Sequence, residues 1–268
     1  AAFAIDVRGG ELFADMEKAL ADGEFLVYIQ PKYWVGTRAL AGGEALVRWK
    51  SPDQGFLSPG EFIPLFEKNR FIVKLDQFMF TSVCGLLRQW LDAGIEPRPL
   101  SVNVSRMQFH TPDFVERYIR IKSQYAIPDG LLELEFTESI FFDNVALLSS
   151  AVHELRRAGI KCSIDDFGAG YSSLNVLKAL PVSVLKLDGM FFRTAKDDEQ
   201  AKIVIRNIMR MAGELKMATV AEGVETHEQV AFLETTGCDI IQGYVFARPM
   251  PAAEFTELLA GEGGHAER

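Results

Sequence analysis

Apolar residues recur along this chain with two different spacings, and the two spacings alternate. Short runs rich in Val, Ile, Leu and Phe, such as EFLVYIQ and LLELEFT, are typical of strands. Between these runs, apolar residues spaced three and four positions apart indicate amphipathic helices. The pattern predicts strands over residues 24–30, 43–49, 98–105, 131–137, 160–165, 182–188, 218–224 and 239–244.

Helices are predicted between most of these strands, and cap residues mark several of their ends. Ser58 is a favourable N-cap, followed by Pro59 at the first helical position, and Gly159 is a favourable stop. The predicted helices cover residues 11–23, 59–67, 70–93, 113–126, 145–159, 172–180, 197–217 and 227–237, and a last one begins at Pro251.

Strand–helix alternation favours an α/β fold with a parallel sheet, and eight such strands favour a closed TIM-type (β/α)8 barrel. The first two predicted strands have no helix between them, which allows one of them to run antiparallel. A doubly wound open sheet is the alternative architecture. The glycine-rich dinucleotide fingerprint that would support it after the first strand is absent from the sequence.

Length and composition agree with one such barrel. The chain has 268 residues, 48% of them hydrophobic, and a single α/β barrel typically needs about 250 residues. We expect one domain over residues 1–260 and a flexible tail over residues 261–268, where the sequence is polar. Because the chain opens on Ala1 rather than methionine, we expect it to be a fragment of a longer multidomain protein.

Charge and cysteine usage narrow the class of partner. The net charge of −9 disfavours binding to duplex nucleic acid or to acidic membranes. The sequence has no apolar run of about 18 residues and no signal-peptide pattern, so no transmembrane helix is expected. Three widely separated cysteines predict no disulfide framework, which favours a reducing cytoplasm. An anionic substrate would need local cations, and bound divalent metal is the expected source.

Polar residues interrupt the apolar runs at the ends of most predicted strands. The carboxyl ends of barrel strands meet at one mouth, where polar residues are usually functional. Period-two alternation directs one set towards that mouth: Glu44, Asn103, Glu135, Asp165, Lys186, Glu222 and Gln242. Carboxylates so close repel each other unless metal neutralises them, and oxygen ligands select hard ions, Mg²⁺ or Mn²⁺. Any one of these acids alone is equally consistent with a helix cap or a salt bridge.

The segment DDFGAGYSS combines adjacent acids with a glycine-rich loop. Asp165 and Asp166 suit two metal ions that share or divide ligands, a common arrangement for phosphoester hydrolysis. Gly168 and Gly170 allow a tight loop that ends around Ser172, at the start of a predicted helix. We expect this loop to gate the substrate or to help hold the second metal.

Two basic residues near the same mouth are candidates for direct roles. Lys186 is placed to hold or deprotonate an attacking water, and Arg48 to clamp a phosphate oxygen. A structural salt bridge for Lys186 and a surface ion pair or stack for Arg48 remain the alternatives. Glu133 and Asp188 are the weakest candidates, and a structural role is favoured for Glu133.

At these residues the sequence resembles the EAL domain family, named after the motif Glu44-Ala45-Leu46 within GEALVRW. Further family motifs follow in order: Gln30-Pro31, SVNVS, ELEFTES, DDFGAGYSSL, LKLD, AEGVET and QGYVFARPMP. The resemblance covers about residues 11–258 and implies a modified TIM-type barrel with one antiparallel strand. It also implies hydrolysis of cyclic di-GMP to linear pGpG with two Mg²⁺ or Mn²⁺ ions, in second-messenger signalling.

The resemblance implies a role for each matching residue. The metal ligands or their close neighbours would be Glu44, Asn103, Glu135, Asp165, Asp166, Glu222 and Gln242. The catalytic residues would be Lys186, which orients or activates the water, together with Glu44 and Glu222. Substrate contacts would come from Gln30, Leu46, Arg48 and Asp188. The loop and its supporting residues would include Glu138, Gly168, Gly170, Ser172 and Glu225.

An active phosphodiesterase is the leading hypothesis, because every ligand, lysine and loop position of the family pattern is intact. A cyclic di-GMP receptor with little turnover is the alternative, and a hydrolase of another phosphodiester is a third. Gly189-Met190 and Tyr33-Trp34 depart from the family's usual residues without removing a ligand. The resemblance also implies a homodimer with a sensory or GGDEF domain upstream. We expect a cytoplasmic location, including the cytoplasmic part of a membrane-anchored protein, without membrane contact by this domain.

Overall fold

The computed structural model describes residues 16–138, 140, 145–168, 177, 180–194 and 198–263. Ten strands lie within these residues. They are β1 (Phe25–Trp34), β2 (Leu40–Ser51), β3 (Gly55–Leu57), β4 (Leu100–Asn103), β5 (Leu132–Thr137), β6 (Ile160–Phe167), β7 (Val184–Leu187), β8 (Ala218–Ala221), β9 (Ile240–Gln242) and β10 (Met250–Pro251).

Eight of these strands close into a barrel, as the alternation of elements predicts. The order runs β1-β9-β8-β7-β6-β5-β4-β2, and β2 pairs back onto β1. The pairings of β1 with β2 and β9 are antiparallel, whereas the remaining barrel pairings are parallel. The short strands β3 and β10 extend the sheet beside β2 and β1. Closure rules out the open doubly wound sheet and confirms the single antiparallel strand.

Helices cover the outside of the barrel. They span Pro59–Lys68, Ile72–Asp92, Phe114–Gln124, Val145–Arg157, Met190–Thr194, Glu199–Glu214, His227–Glu234 and Ala252–Gly263, with a 3-10 turn over Arg106–His110 and a helical segment at residues 16–21. The helix from Pro59 has the expected capping box, in which Ser58 and Glu61 satisfy each other's backbone groups. Among the described residues, none of the helices combines the length and apolarity needed to cross a bilayer.

Several boundaries differ from the sequence prediction. The helix Met190–Thr194, the 3-10 turn and the strands β3 and β10 were not predicted, because segments of two to five residues are too short to show a period. The last helix continues to Gly263, inside the segment expected to be a tail. The predicted helix over residues 172–180 falls largely outside the described residues.

Alternation along the strands sends apolar side chains outward and polar ones inward. Leu134, Phe136, Ile164 and Leu185 are fully buried in the core between the barrel and its helices. Inside the barrel, parallel register places polar positions beside one another: Asn103 pairs with Glu135, and Thr137 pairs with Asp165. The fold therefore gathers the strand-end residues at the carboxyl mouth.

Candidate functional site

Lys186 is the central cation of the barrel mouth and is fully buried. Its Nζ lies 2.5 Å from Glu135 Oε2, 2.6 Å from Glu222 Oε1 and 3.0 Å from Asp165 Oδ1. Glu44 Oε2 follows at 3.6 Å. Burial acts to lower the pKa of Lys186, but these carboxylates outweigh it and raise the pKa well above its ordinary value. Lys186 is therefore a charged hydrogen-bond donor at the centre of an acidic cluster.

Glu44 connects the first barrel strands to the last. Asn103 Nδ2 donates to its Oε1 at 2.6 Å, and Gln242 Nε2 donates to its Oε2 at 2.6 Å. Gln242 Nε2 also donates to Gln30 Oε1 at 3.1 Å. Burial, followed by repulsion from Glu135, raises the pKa of Glu44. Residues from β1, β2, β4 and β9 thus form one hydrogen-bonded rim.

Asp165 and Asp166 both face this site because β6 is irregular at that point. Successive side chains of a regular strand point to opposite faces. The pairing of β6 with β7 shifts register between Ile164 and Phe167, and Asp166 adopts a positive φ of 54°. Asp165, Asp166 and Glu222 consequently each offer an oxygen, and the three atoms lie within 4.8 Å of one another. Burial, then repulsion from Asp165, raises the pKa of Asp166 to about 6.

Lys32 is a buried cation that the sequence reasoning did not single out. Its Nζ donates to Ser101 Oγ at 2.7 Å and to Glu135 Oε1 at 2.9 Å. The signal available in the sequence was its position two residues after Gln30, which puts both side chains on the same face of β1. Glu135 is buried, which acts to raise its pKa, but Lys186 and Lys32 hold that pKa below its ordinary range.

Residues predicted around the loop are only partly within the described structure. Glu138 Oε2 accepts a hydrogen bond from the Gly168 backbone N at 3.2 Å, which ties the end of β5 to the start of the loop. Gly168 has a positive φ of 92°, and a Cβ there would lie 2.1 Å from the Phe191 ring. A side chain at this position would therefore strain the backbone and require the Phe191 ring to move. Gly170 and Ser172 lie outside the described residues.

The residues predicted to contact substrate occupy different places. Gln30 and Leu46 line a cavity of about 260 Å³ at the mouth, and Glu225, which was predicted as a supporting acid near the site, lines it too. The guanidinium of Arg48 stacks over the Tyr28 ring, 5.5 Å from its centroid. Asp188 Oδ1 accepts from the Met190 backbone N at 2.7 Å and so caps the helix Met190–Thr194.

A second cavity of about 520 Å³ lies between the barrel and the helices Pro59–Lys68 and Ile72–Asp92. Leu46 and Asn103 line it, so it reaches the barrel mouth. Its wall is mainly apolar, with Glu67 and Asp76 among its polar groups. Its volume is within the range of small-molecule sites.

Comparisons with known proteins agree with this architecture. The family model described as EAL domain matches residues 14–249. The chain is 35% identical over 250 residues to the bifunctional diguanylate cyclase/cyclic di-GMP phosphodiesterase MucR of Pseudomonas aeruginosa, covering 93% of this chain and 36% of MucR. It is 36% identical over 245 residues to the cyclic di-GMP phosphodiesterase NbdA of the same organism, covering 91% of this chain and 31% of NbdA. The chain thus spans about a third of the length of these two relatives.

A solved structure shares the fold as well as the sequence pattern. The MucR phosphodiesterase in complex with c-di-GMP superposes on this chain with a TM-score of 0.85 and 36% sequence identity, covering 91% of this chain and 99% of that one. The family match spans most of the 268 residues and includes every strand of the barrel. On this evidence, the chain belongs to the EAL domain family.

Proposed function

We propose that this chain is a metal-dependent phosphodiesterase that hydrolyses cyclic di-GMP to linear pGpG, using two Mg²⁺ or Mn²⁺ ions. The observation that carries the proposal is the cluster of carboxylates around buried Lys186 at the barrel mouth. The choice of substrate is supported by relatives named as cyclic di-GMP phosphodiesterases.

The donor atoms at the mouth fit hard divalent cations. Asp165, Asp166 and Glu222 present three carboxylate oxygens within 4.8 Å of one another. Gln242 Oε1 is buried and has no hydrogen-bond partner among the described residues. Burial raises the pKa of Glu222 well above its ordinary value, and the charge of Lys186 only partly opposes this. Four carboxylates lie within 4 Å of the single ammonium group of Lys186. Oxygen donors of this kind are those that Mg²⁺ and Mn²⁺ prefer.

The residues that would hold the ions are those the sequence predicted: Glu44, Asn103, Glu135, Asp165, Asp166, Glu222 and Gln242. Bound metal would supply Lewis-acid polarisation of the phosphodiester and a nucleophile at neutral pH. Lys186, as a charged donor, would orient the attacking oxygen, and Glu44 and Glu222 would fix the position of its ammonium group. Glu138 would hold the loop at Gly168 against the site.

Binding of the substrate would involve both cavities. Gln30 and Leu46 line the smaller cavity beside the carboxylates and are the favoured substrate contacts. The larger cavity would accept one base, because it opens at Leu46 and Asn103 and is mainly apolar. Arg48 and Asp188 are weaker proposals as substrate contacts, since one stacks on Tyr28 and the other caps a helix.

The test is to incubate the purified chain with cyclic di-GMP and Mg²⁺, Mn²⁺ or EDTA, and to separate the products by chromatography. Glu44→Gln is the matched control, because it keeps the side-chain size and removes one carboxylate. We expect pGpG with either metal, none with EDTA, and background amounts from the variant. No pGpG above the Glu44→Gln background would reject the enzyme. Tight binding of cyclic di-GMP in calorimetry without turnover would then support the receptor alternative.

We also propose that this barrel works as part of a longer, dimeric signalling protein with a sensory or GGDEF domain upstream. The support is that the chain aligns with only about a third of the length of relatives such as MucR. The name of MucR also includes a diguanylate cyclase activity. Dimer formation and a cytoplasmic location remain predictions. Light scattering of the purified chain tests the first, and cell fractionation tests the second.

A further inference from the structure

We infer that Lys32 is a positioning residue for Glu135: it occupies one carboxylate oxygen from inside the barrel and leaves only the other oxygen for a metal ion. The inference rests on the proposed function, because it concerns how one proposed ligand is presented. Lys32 does not face the mouth as Lys186 does, and its role is distinct from that of Lys186.

The two lysines divide the two oxygens of Glu135 between them. Lys186 Nζ lies 2.5 Å from Oε2, and Lys32 Nζ lies 2.9 Å from Oε1. Glu135 is fully buried, and the side chain of Lys32 is 7% exposed. Lys32 is further fixed by its 2.7 Å hydrogen bond to Ser101 Oγ. Both ends of the Lys32–Glu135 pair are therefore held in place by the barrel wall.

The two lysines differ in how easily each can release Glu135. Lys186 has Glu222, Asp165 and Glu44 within 4 Å as well, so Glu135 is one of four carboxylates around its ammonium group. Among the described residues, Glu135 is the one carboxylate in an ion pair with Lys32. Releasing it would leave a buried, unpaired ammonium group, which is strongly unfavourable. A metal ion would thus displace Lys186 from Oε2, and Lys32 would keep Oε1.

This asymmetry gives Glu135 one defined orientation before metal arrives. A carboxylate held through one oxygen presents the other in a fixed direction and binds through that oxygen alone. Groups that orient metal ligands in this way typically change metal affinity by about 10- to 100-fold when they are removed. The same lysine also adds positive charge near the site, and removing that charge by itself would strengthen metal binding. The two effects have opposite signs, so they can be separated.

The test compares Lys32→Met with wild type by calorimetric titration of the metal-free proteins with Mn²⁺ alone. Lys122→Met is the matched control, because it also removes a buried lysine from an ion pair, with Asp129, away from the barrel mouth. If Lys32 positions Glu135, Lys32→Met weakens Mn²⁺ binding by about tenfold or more, and Lys122→Met leaves it unchanged. Unchanged or tighter Mn²⁺ binding by Lys32→Met would overturn the inference, because a simple counter-charge predicts that result.

A second comparison remains valid if Lys32→Met does not fold. Glu135→Gln and the double variant Lys32→Met/Glu135→Gln are titrated with Mn²⁺ in the same way. The double variant contains no buried charge at this pair, so its folding does not depend on the ion pair. We expect the double variant to bind Mn²⁺ at least as tightly as Glu135→Gln, because Lys32 positions only Glu135 and its charge by itself opposes metal binding. Weaker binding by the double variant would refute the inference. Because the readout is metal binding, failure of the inference is distinguishable from absence of cyclic di-GMP cleavage by wild type.

Discussion

Asp76 is a buried carboxyl whose ionisation should make the stability of this protein fall as the pH rises. It lies on the helix Ile72–Asp92 and is 6% exposed. Its Oδ2 accepts hydrogen bonds from the Ser105 backbone N at 3.0 Å and from Gln108 Nε2 at 3.2 Å. Burial nevertheless raises its pKa from 3.8 to about 7, with the two hydrogen bonds opposing and Glu67 adding to the rise.

The direction of the effect follows from proton binding. With its pKa raised on folding, Asp76 binds its proton more tightly in the folded protein than in the unfolded chain. Its stabilising contribution is complete below pH 3.8 and is lost as the pH rises through about 7. Each pH unit in this window costs about 1.4 kcal/mol, so the change from pH 5 to pH 7 is at most about 3 kcal/mol.

Asp76→Asn is the informative substitution, because an amide oxygen can still accept from Ser105 and Gln108 but does not titrate. The free energy of unfolding of both proteins is measured by urea denaturation at pH 5, 6, 7 and 8. As the pH rises from 5 to 8, we expect the unfolding free energy of Asp76→Asn to increase relative to that of wild type by up to about 3 kcal/mol. Asp92→Asn, on the same helix but with a side chain 66% exposed, is the control and should show no such pH dependence.

The neighbouring tyrosine does not produce the same change of unfolding free energy between pH 5 and pH 8. Burial, and then the charge of Asp76, raises the pKa of Tyr118 well above its ordinary value, which places its titration above the tested range. A constant difference in unfolding free energy from pH 5 to pH 8 would mean that Asp76 is ionised in the folded protein and that burial does not raise its pKa.

Three further predictions concern the site itself. Lys186→Met should lower kcat for pGpG formation by about 100-fold or more in steady-state kinetics, because the attacking oxygen loses its charged donor. A near-normal kcat would contradict this role for Lys186. Glu138→Ala should reduce kcat more than Glu138→Gln, since the amide still accepts from the Gly168 N–H; equal losses would argue against the anchor. Gly243→Ala should lower the free energy of unfolding by about 1–3 kcal/mol in urea denaturation, because the alanine Cβ would lie 2.0 Å from the Val224 carbonyl oxygen. An unchanged free energy of unfolding would refute this steric clash.

The sequence was sufficient for the architecture. Strand and helix periods along the chain differ, so the order of elements could be read locally, and their alternation favoured the barrel that the structure contains. Positions at strand ends were also readable, because alternation fixes which residues share a face. Glu44, Asn103 and Gln242 were grouped on that basis, and the structure joins them by hydrogen bonds of 2.6 Å.

What the sequence alone determined was therefore which element each residue lies on and which face it occupies. Only the tertiary structure decided which residues meet across the closed barrel. Lys32 and Glu135 are 103 positions apart on strands that do not pair, and they become neighbours because both side chains point into the closed barrel. The irregularity of β6 turns Asp166 towards the same side as Asp165, against the rule of alternation. Local periodicity carries no information on closure or on register shifts, because both are set by packing between segments distant in the chain.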